Sequence, residues 1–226
     1  FGAAFSVVDI AFAPWIDRAA ALLGWLCNLH VRGGRFLALD AWLVAMESRP
    51  AHRALRLDDE TIVRITLASQ PALAHRRLPL LGRMVPSGAA CAAAAAEAVQ
   101  CLAACRTGVA TLAAQRISIT PIVSLDKLLR AVAVGALAAQ DTPVAVAAVQ
   151  MLEVEAEDVA RELAAAAIFV RSRVAVPRDM SVPAAQLLRA SLQSVAAALV
   201  GLDHTEALLM QELTAFGEKV AFQSKY

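Results

Sequence analysis

Aromatic residues are scarce in this chain: seven Phe, three Trp and one Tyr make up 5% of its 226 residues. Alternation of β-branched or aromatic residues with polar ones is nearly absent as well, and that alternation is the mark of strands. An all-β fold is thereby excluded, and Rossmann and TIM-barrel architectures are disfavoured. Charge of one sign is missing too, since 21 basic residues interleave with 20 acidic ones for a net charge of +1. The densest basic spot, His75-Arg76-Arg77, is too short for a nucleic-acid footprint and reads as a solvated helix end. A charged fraction of only 18% also excludes a disordered chain.

Long uncharged runs are lacking. Ala19–Val31 and Met84–Ala96 contain no Asp, Glu, Lys or Arg, but each stops at 13 residues. A spanning helix needs about 18 or more. The expectation is an intracellular soluble protein with no transmembrane segment. Cysteine is sparse, with Cys27, Cys91, Cys101 and Cys105 forming no CxxC and no His at zinc-like spacing. Neither a metal centre nor a disulfide scaffold is expected. Cys101 and Cys105 share a helix face, with Cys91 near the same stripe, and read as small buried thiols in place of alanine. No signal peptide or Arg-rich presequence is visible, and the chain starts at Phe1 rather than Met. That start reads as a processed or truncated chain.

What the chain has in abundance is alanine, 52 residues of it, the best intrinsic helix former. The expected fold class is all-α, a helical bundle. The first helix is announced by Ser6-Val7-Val8-Asp9: Ser6 at the N-cap and Asp9 at N3 make a capping box, and Phe5 with Ile10 are placed as a hydrophobic staple. From there to Leu26 the only charges are Asp9, Asp17 and Arg18, so this helix is expected to be a buried core element, kinked at Pro14. Gly33-Gly34 breaks the chain, and Leu39, Trp42, Leu43 and Met46 define an amphipathic helix ending near Glu47. Ala51–Leu55 reads as a short helical turn. Asp58 or Asp59 caps a helix through Ile62, Ile65 and Leu67 that Pro71 interrupts. After Pro86-Ser87-Gly88 come an alanine-rich helix over Ala89–Arg116, one from Ser124 over Leu125–Ala139, and one from Thr142-Pro143 to about Arg173. A last helix, or a pair broken near Gly201, follows Ser181 toward Phe222. The soft boundary near residue 86 divides residues 1–86, a helical core, from 87–226, an alanine-rich helical extension packed on it.

In its first sixty residues the chain resembles the C-terminal helical domain of glutathione S-transferases. The resemblance rests on the Ser6-Val7-Val8-Asp9 box with its flanking Phe5 and Ile10. It continues through Arg35-Phe36, Leu39-Asp40-Ala41-Trp42-Leu43, Met46 and Arg49-Pro50-Ala51. A fainter similarity, over Arg173–Ser181 and then Ala184-Ala185 and Leu188-Arg189-Ala190, is to transferase-like proteins of photosynthetic organisms and implies a plastid location. The departures are large. The family holds glutathione mainly through a thioredoxin-like domain, and neither that domain nor the two long helices that normally precede the capping-box helix are present here. The resemblance therefore transfers Ser6 and Asp9 as folding residues only. Glutathione becomes an implied cofactor only if an upstream domain exists; otherwise none is expected.

Independent chemistry is thin. Cys27 and His30 form the one close Cys–His pair, without an orienting third group. Glu153, Glu155, Glu157 and Asp158 cluster near Arg161 and Glu162, where Glu157 and Arg161 read as a surface pair rather than a di-iron site. Trp15 and Trp25 read as packing residues. There is no phosphate loop, nucleophile elbow or HExxH. No catalytic residue is assigned. Three functions follow, in order: a non-catalytic structural or interaction subunit docking in a larger protein assembly or homo-oligomer; a glutathione transferase-family enzyme with its thioredoxin-like domain missing; and a ligand carrier. Alanine-rich helices bury little area each, so the extension after residue 87 is expected either to pack in tight helix–helix seams or to have its surface completed by a partner.

Overall fold

The computed structural model describes residues 4–70, 89–117, 126–133, 156–176 and 178–209, with single positions at 150, 152, 154, 211 and 212. These residues form helices and no strand, so the all-α class follows directly from the alanine-rich, aromatic-poor composition. They divide into two compact units, with residues 4–70 in the first and 89–212 in the second.

The first unit is built from α1 (Val7–Cys27), α2 (Leu37–Glu47), α3 (Pro50–Leu55) and α4 (Asp59–Ser69). Ser6 is extended, with φ −136° and ψ 169°, and the capping box with Asp9 opens α1. The helix runs through Pro14 and ends where Asn28 turns left-handed at φ 51°. There the Leu29 N–H reaches back to the Leu23 carbonyl at 3.1 Å, closing the last turn. Pro50 opens α3 from N1, where its missing N–H costs nothing. Asp58 caps α4 by accepting from the Thr61 N–H at 3.3 Å. The core of this unit combines Ala13, Ala21 and Trp25 with Leu43, Met46, Ile62, Val63 and Leu67, and α1 packs chiefly on α4. Ile65, expected in that core, points outward, and its neighbour Val63 is buried instead.

In the second unit, α5 (Ala89–Ile117) lies against α6 (Glu157–Arg171) and α7 (Val182–Val200), and α6 and α7 share the most extensive contact. Ala98, Ala113, Ala164, Ala166, Ala167, Ala184, Ala185 and Ala196 are all fully excluded from solvent. Side chains this small let helix axes approach closely, while Leu128, Leu163, Ile168, Leu187, Leu192 and Val195 fill the space between. These eight alanines pack in close helix seams, whereas Ala92, Ala93, Ala96, Ala103 and Ala104 on α5 are exposed. A carboxylate from α5 also starts α7: Glu97 accepts from the Ser181 N–H at 2.7 Å and from its hydroxyl at 2.6 Å. Gly201, at φ 84°, ends α7, and residues 202–209 are helical again, as a pair broken at that glycine requires. The helix expected from Pro143 to Arg173 is interrupted. Ala156 is extended, and α6 begins only at Glu157, with Glu157 and Asp158 in its first turn, where acids suit the positive helix end. Ser124, Thr142 and Pro143 lie outside the described residues, as do Glu153, Glu155 and the His75-Arg76-Arg77 segment.

Candidate functional site

The residues of α1 that face inward are Asp9, Ala13, Asp17, Ala21, Gly24 and Trp25. Asp9, Ala13, Asp17, Ala21 and Trp25 recur at every fourth position, so one narrow stripe carries both acids, small residues and one indole. Val7, Val8, Ile10, Phe12, Trp15 and Leu23 point outward instead, with Trp15 68% exposed. This reverses the expectation of a helix buried all round. Trp25 is packed as expected, but Trp15 is a surface residue.

The inversion has a polar cause. Asp9 accepts at Oδ2 from the Ser6 N–H and hydroxyl, both at 2.8 Å, and at Oδ1 from the Trp42 indole at 2.7 Å. The indole, and after it the Ser6 hydroxyl and amide, hold this carboxyl below the ordinary aspartate range. Two turns further on, Asp17 lies 3.3 Å from His52 Nε2 and 3.5 Å from Arg56 Nε. Burial pushes its carboxyl upward, while Arg56 and His52 pull the other way. Arg56 also pairs with Glu47, Glu47 with Arg32, and Arg32 with Asp40 at 3.7 Å. The result is a chain of alternating charges from α1 through α3 and α2 to the turn before α2. Turning α1 over would separate Arg56 and His52 from the Asp17 carboxylate and the Trp42 indole N–H from Asp9. A charge separated from its partner in a protein interior costs several kcal/mol, so the acids dictate which face looks out.

The staple pair behaves differently from the box. Phe5 and Ile10 are 45% and 57% exposed, and the Phe5 ring carries the Arg49 guanidinium 3.4 Å from its centroid, a cation–π contact. Arg18 likewise lies over Trp15, at 5.9 Å.

Catalytic geometry is sparse among the described residues. Cys27 and His30 are both exposed, and His30 Nε2 stands 3.1 Å from Asn28 Oδ1. Cys105 is exposed and Cys101 half-buried, so these thiols are not the sealed alanine substitutes expected. Burial, followed by the Glu97 charge, raises the Cys101 thiol. Glu157 and Arg161 form the expected pair across one turn at 2.6 Å, both exposed. Among the described residues no group of three His, Cys, Asp or Glu side chains is placed to hold a metal.

By length and composition α1 is also the one described helix able to cross a membrane, and 28% of its most apolar window is buried. The 13-residue limit on uncharged runs missed it, because Asp9, Asp17 and Arg18 interrupt an otherwise apolar helix. Those two acids are tied to Trp42, His52 and Arg56, bonds a spanning helix would have to give up. Comparison with protein-family models, curated proteins and solved structures finds no match to this chain. What α1 offers is therefore best described by its own geometry: a rigidly anchored helix presenting an apolar face.

Proposed function

We propose that the chain is a non-catalytic structural or interaction subunit, with its first unit serving as a docking module of glutathione S-transferase C-terminal type in a protein assembly. The observation that carries this reading is the outward face of α1. Val8, Phe12 and Trp15 are 48%, 50% and 68% exposed on a helix that cannot rotate to hide them, and a contiguous apolar patch is the usual mark of an interaction site. The reading needs no cofactor. In size-exclusion chromatography of a native extract, the chain should elute in a complex well above its own 23.8 kDa. Trp15→Arg should return it toward the monomer position. Elution as a monomer before any substitution overturns the reading.

A second reading, the helical part of a glutathione transferase-family enzyme, is favoured by the Asp9–Trp42 bond. That bond joins the two stretches on which the sequence resemblance rests, the capping box and the Leu39–Leu43 segment. Retention of the intact native protein on immobilised glutathione, with elution by free glutathione, would support it. Free passage through the column would sink it.

A further inference from the structure

We infer that the outward face of α1 is a docking seam for one amphipathic helix of a protein partner, a helix carrying an acidic residue opposite Arg18. The inference rests on the interaction reading above and specifies its occupant. Val8, Phe12, Trp15, Ala19, Leu22 and Leu26 succeed one another at spacings of four, three, four, three and four residues. This 3.5-residue period is the one that keeps a single seam facing a second helix, with side chains entering holes between four neighbours. Val8, Phe12, Trp15 and Ala19 are exposed, and Leu22 and Leu26 are half-buried. The seam runs for roughly 27 Å at the helical rise. Ala19 leaves a gap beside Trp15 where a larger partner side chain fits.

Charge decides among possible occupants. Both acids of α1 are turned inward and tied to Trp42, His52 and Arg56, so Arg18 is the sole charged group of the helix left at the seam. A second copy in antiparallel register would pivot near residue 17 and set the two Arg18 side chains against each other, an unfavourable like-charge contact. A lipid surface calls for several basic residues beside the apolar face, and α1 brings one, Arg18. A helix with an apolar stripe and a Glu or Asp beside it satisfies both the seam and the cation.

The test uses the full chain and three labelled 21-residue host peptides, each an amphipathic helix with Leu at seam positions. They differ only in having Glu, Gln or Lys at the position facing Arg18. By fluorescence anisotropy at low salt, the Glu peptide should bind about fivefold more tightly than the Lys peptide, the scale of an exposed ion pair. Arg18→Glu should reverse that order, and Trp15→Ser should weaken all three peptides alike. Both residues are exposed, and circular dichroism checks that each variant keeps its helices. Equal affinities, or no binding by any peptide, overturn the inference. A homodimer abolished by Trp15→Arg overturns it in favour of a second copy, and binding to anionic vesicles in favour of a membrane. Trp15 already shielded from iodide quenching in the purified monomer overturns it in favour of a segment of the same chain. If the native complex persists while the peptides fail, this inference falls and the interaction reading stands; if peptides bind but no native complex exists, the interaction reading falls.

Discussion

The indole N–H of Trp42 donates to Asp9 Oδ1 at 2.7 Å, across 33 residues of sequence. The acceptor is the same carboxylate that closes the capping box with Ser6, so one side chain starts α1 and fixes α2 against it. Trp42→Phe keeps an aromatic ring but removes the donor together with part of the indole. It should destabilise the first unit by about 1 kcal/mol, the net value of a typical hydrogen bond, as measured by denaturant unfolding. An unchanged midpoint would show that the bond contributes nothing.

The two acids of α1 should titrate in opposite senses. The Asp9 carboxyl is held below the ordinary aspartate value of 3.8 and that of Asp17 above it. For Asp9 the folded pKa is depressed, so its contribution is present above pH 3.8 and is lost as pH falls through the lower folded value. For Asp17 the folded pKa is raised, so the folded state binds its proton first. Stability from this group grows as pH falls from the raised value toward 3.8. Carboxyl carbon shifts followed by NMR during acidification should show Asp17 protonating before Asp9. The reverse order would contradict the arrangement described.

Asp17 is offset by His52 and Arg56, both themselves largely covered. Asp17→Ala leaves the Arg56 guanidinium and the His52 imidazole facing a void and should cost about 2 kcal/mol, less than a fully buried pair because the network reaches solvent. Asp17→Leu combined with Arg56→Met should recover much of that loss, since removing both partners is far milder than removing one. A double-mutant cycle by chemical denaturation measures the coupling.

Local signals in the sequence located most helix ends. The Ser6 box, Pro50, the Asp58 cap and the Gly201 break are each short-range devices whose chemistry sits within four residues. The orientation of α1 was not legible, because its apolar residues cover nearly the whole circumference and hydropathy alone selects no face. What selects it is the meeting of Asp9 and Asp17 with Trp42, His52 and Arg56, side chains that are neighbours only after folding. One signal was available: Asp9, Ala13, Asp17 and Ala21 repeat every fourth residue, which sets both acids on a stripe of small neighbours. Likewise, no local feature marked the break before Glu157 in a stretch that reads as one long helix. The candidate docking face was hidden for the same reason as the orientation, since it is what remains once the acids have chosen theirs.

The second unit depends on alanine at its helix contacts. Ala166 is fully excluded from solvent, so Ala166→Leu should force neighbours off their rotamers and destabilise by about 1–3 kcal/mol. Ala93 lies on the exposed side of α5, and Ala93→Leu should stay within about 0.5 kcal/mol of the parent. Equal effects of the two, by thermal unfolding, would refute close packing at Ala166.

Gly201 has open space around a would-be Cβ, yet its backbone sits at φ 84° and ψ 163°. That region is essentially reserved for glycine. Gly201→Ala should therefore destabilise by about 1–3 kcal/mol through backbone strain alone. A matching loss for Gly108→Ala, whose glycine lies inside α5 with equally open surroundings, would argue against strain as the cause. There alanine is the better helix former and should stabilise.

The Glu97–Ser181 clasp spans 84 residues, whereas the Asp9–Trp42 tie spans 33. Closing the longer loop costs about 0.8 kcal/mol more in chain entropy, and long closures slow folding. As the chain leaves the ribosome, α1 can settle against α4 once Ser69 has emerged, long before α5 meets the start of α7. The apolar face of α1 is thus on display during the whole interval in which the alanine-rich helices are still being made, so the docking proposed above has its opportunity during synthesis rather than after it.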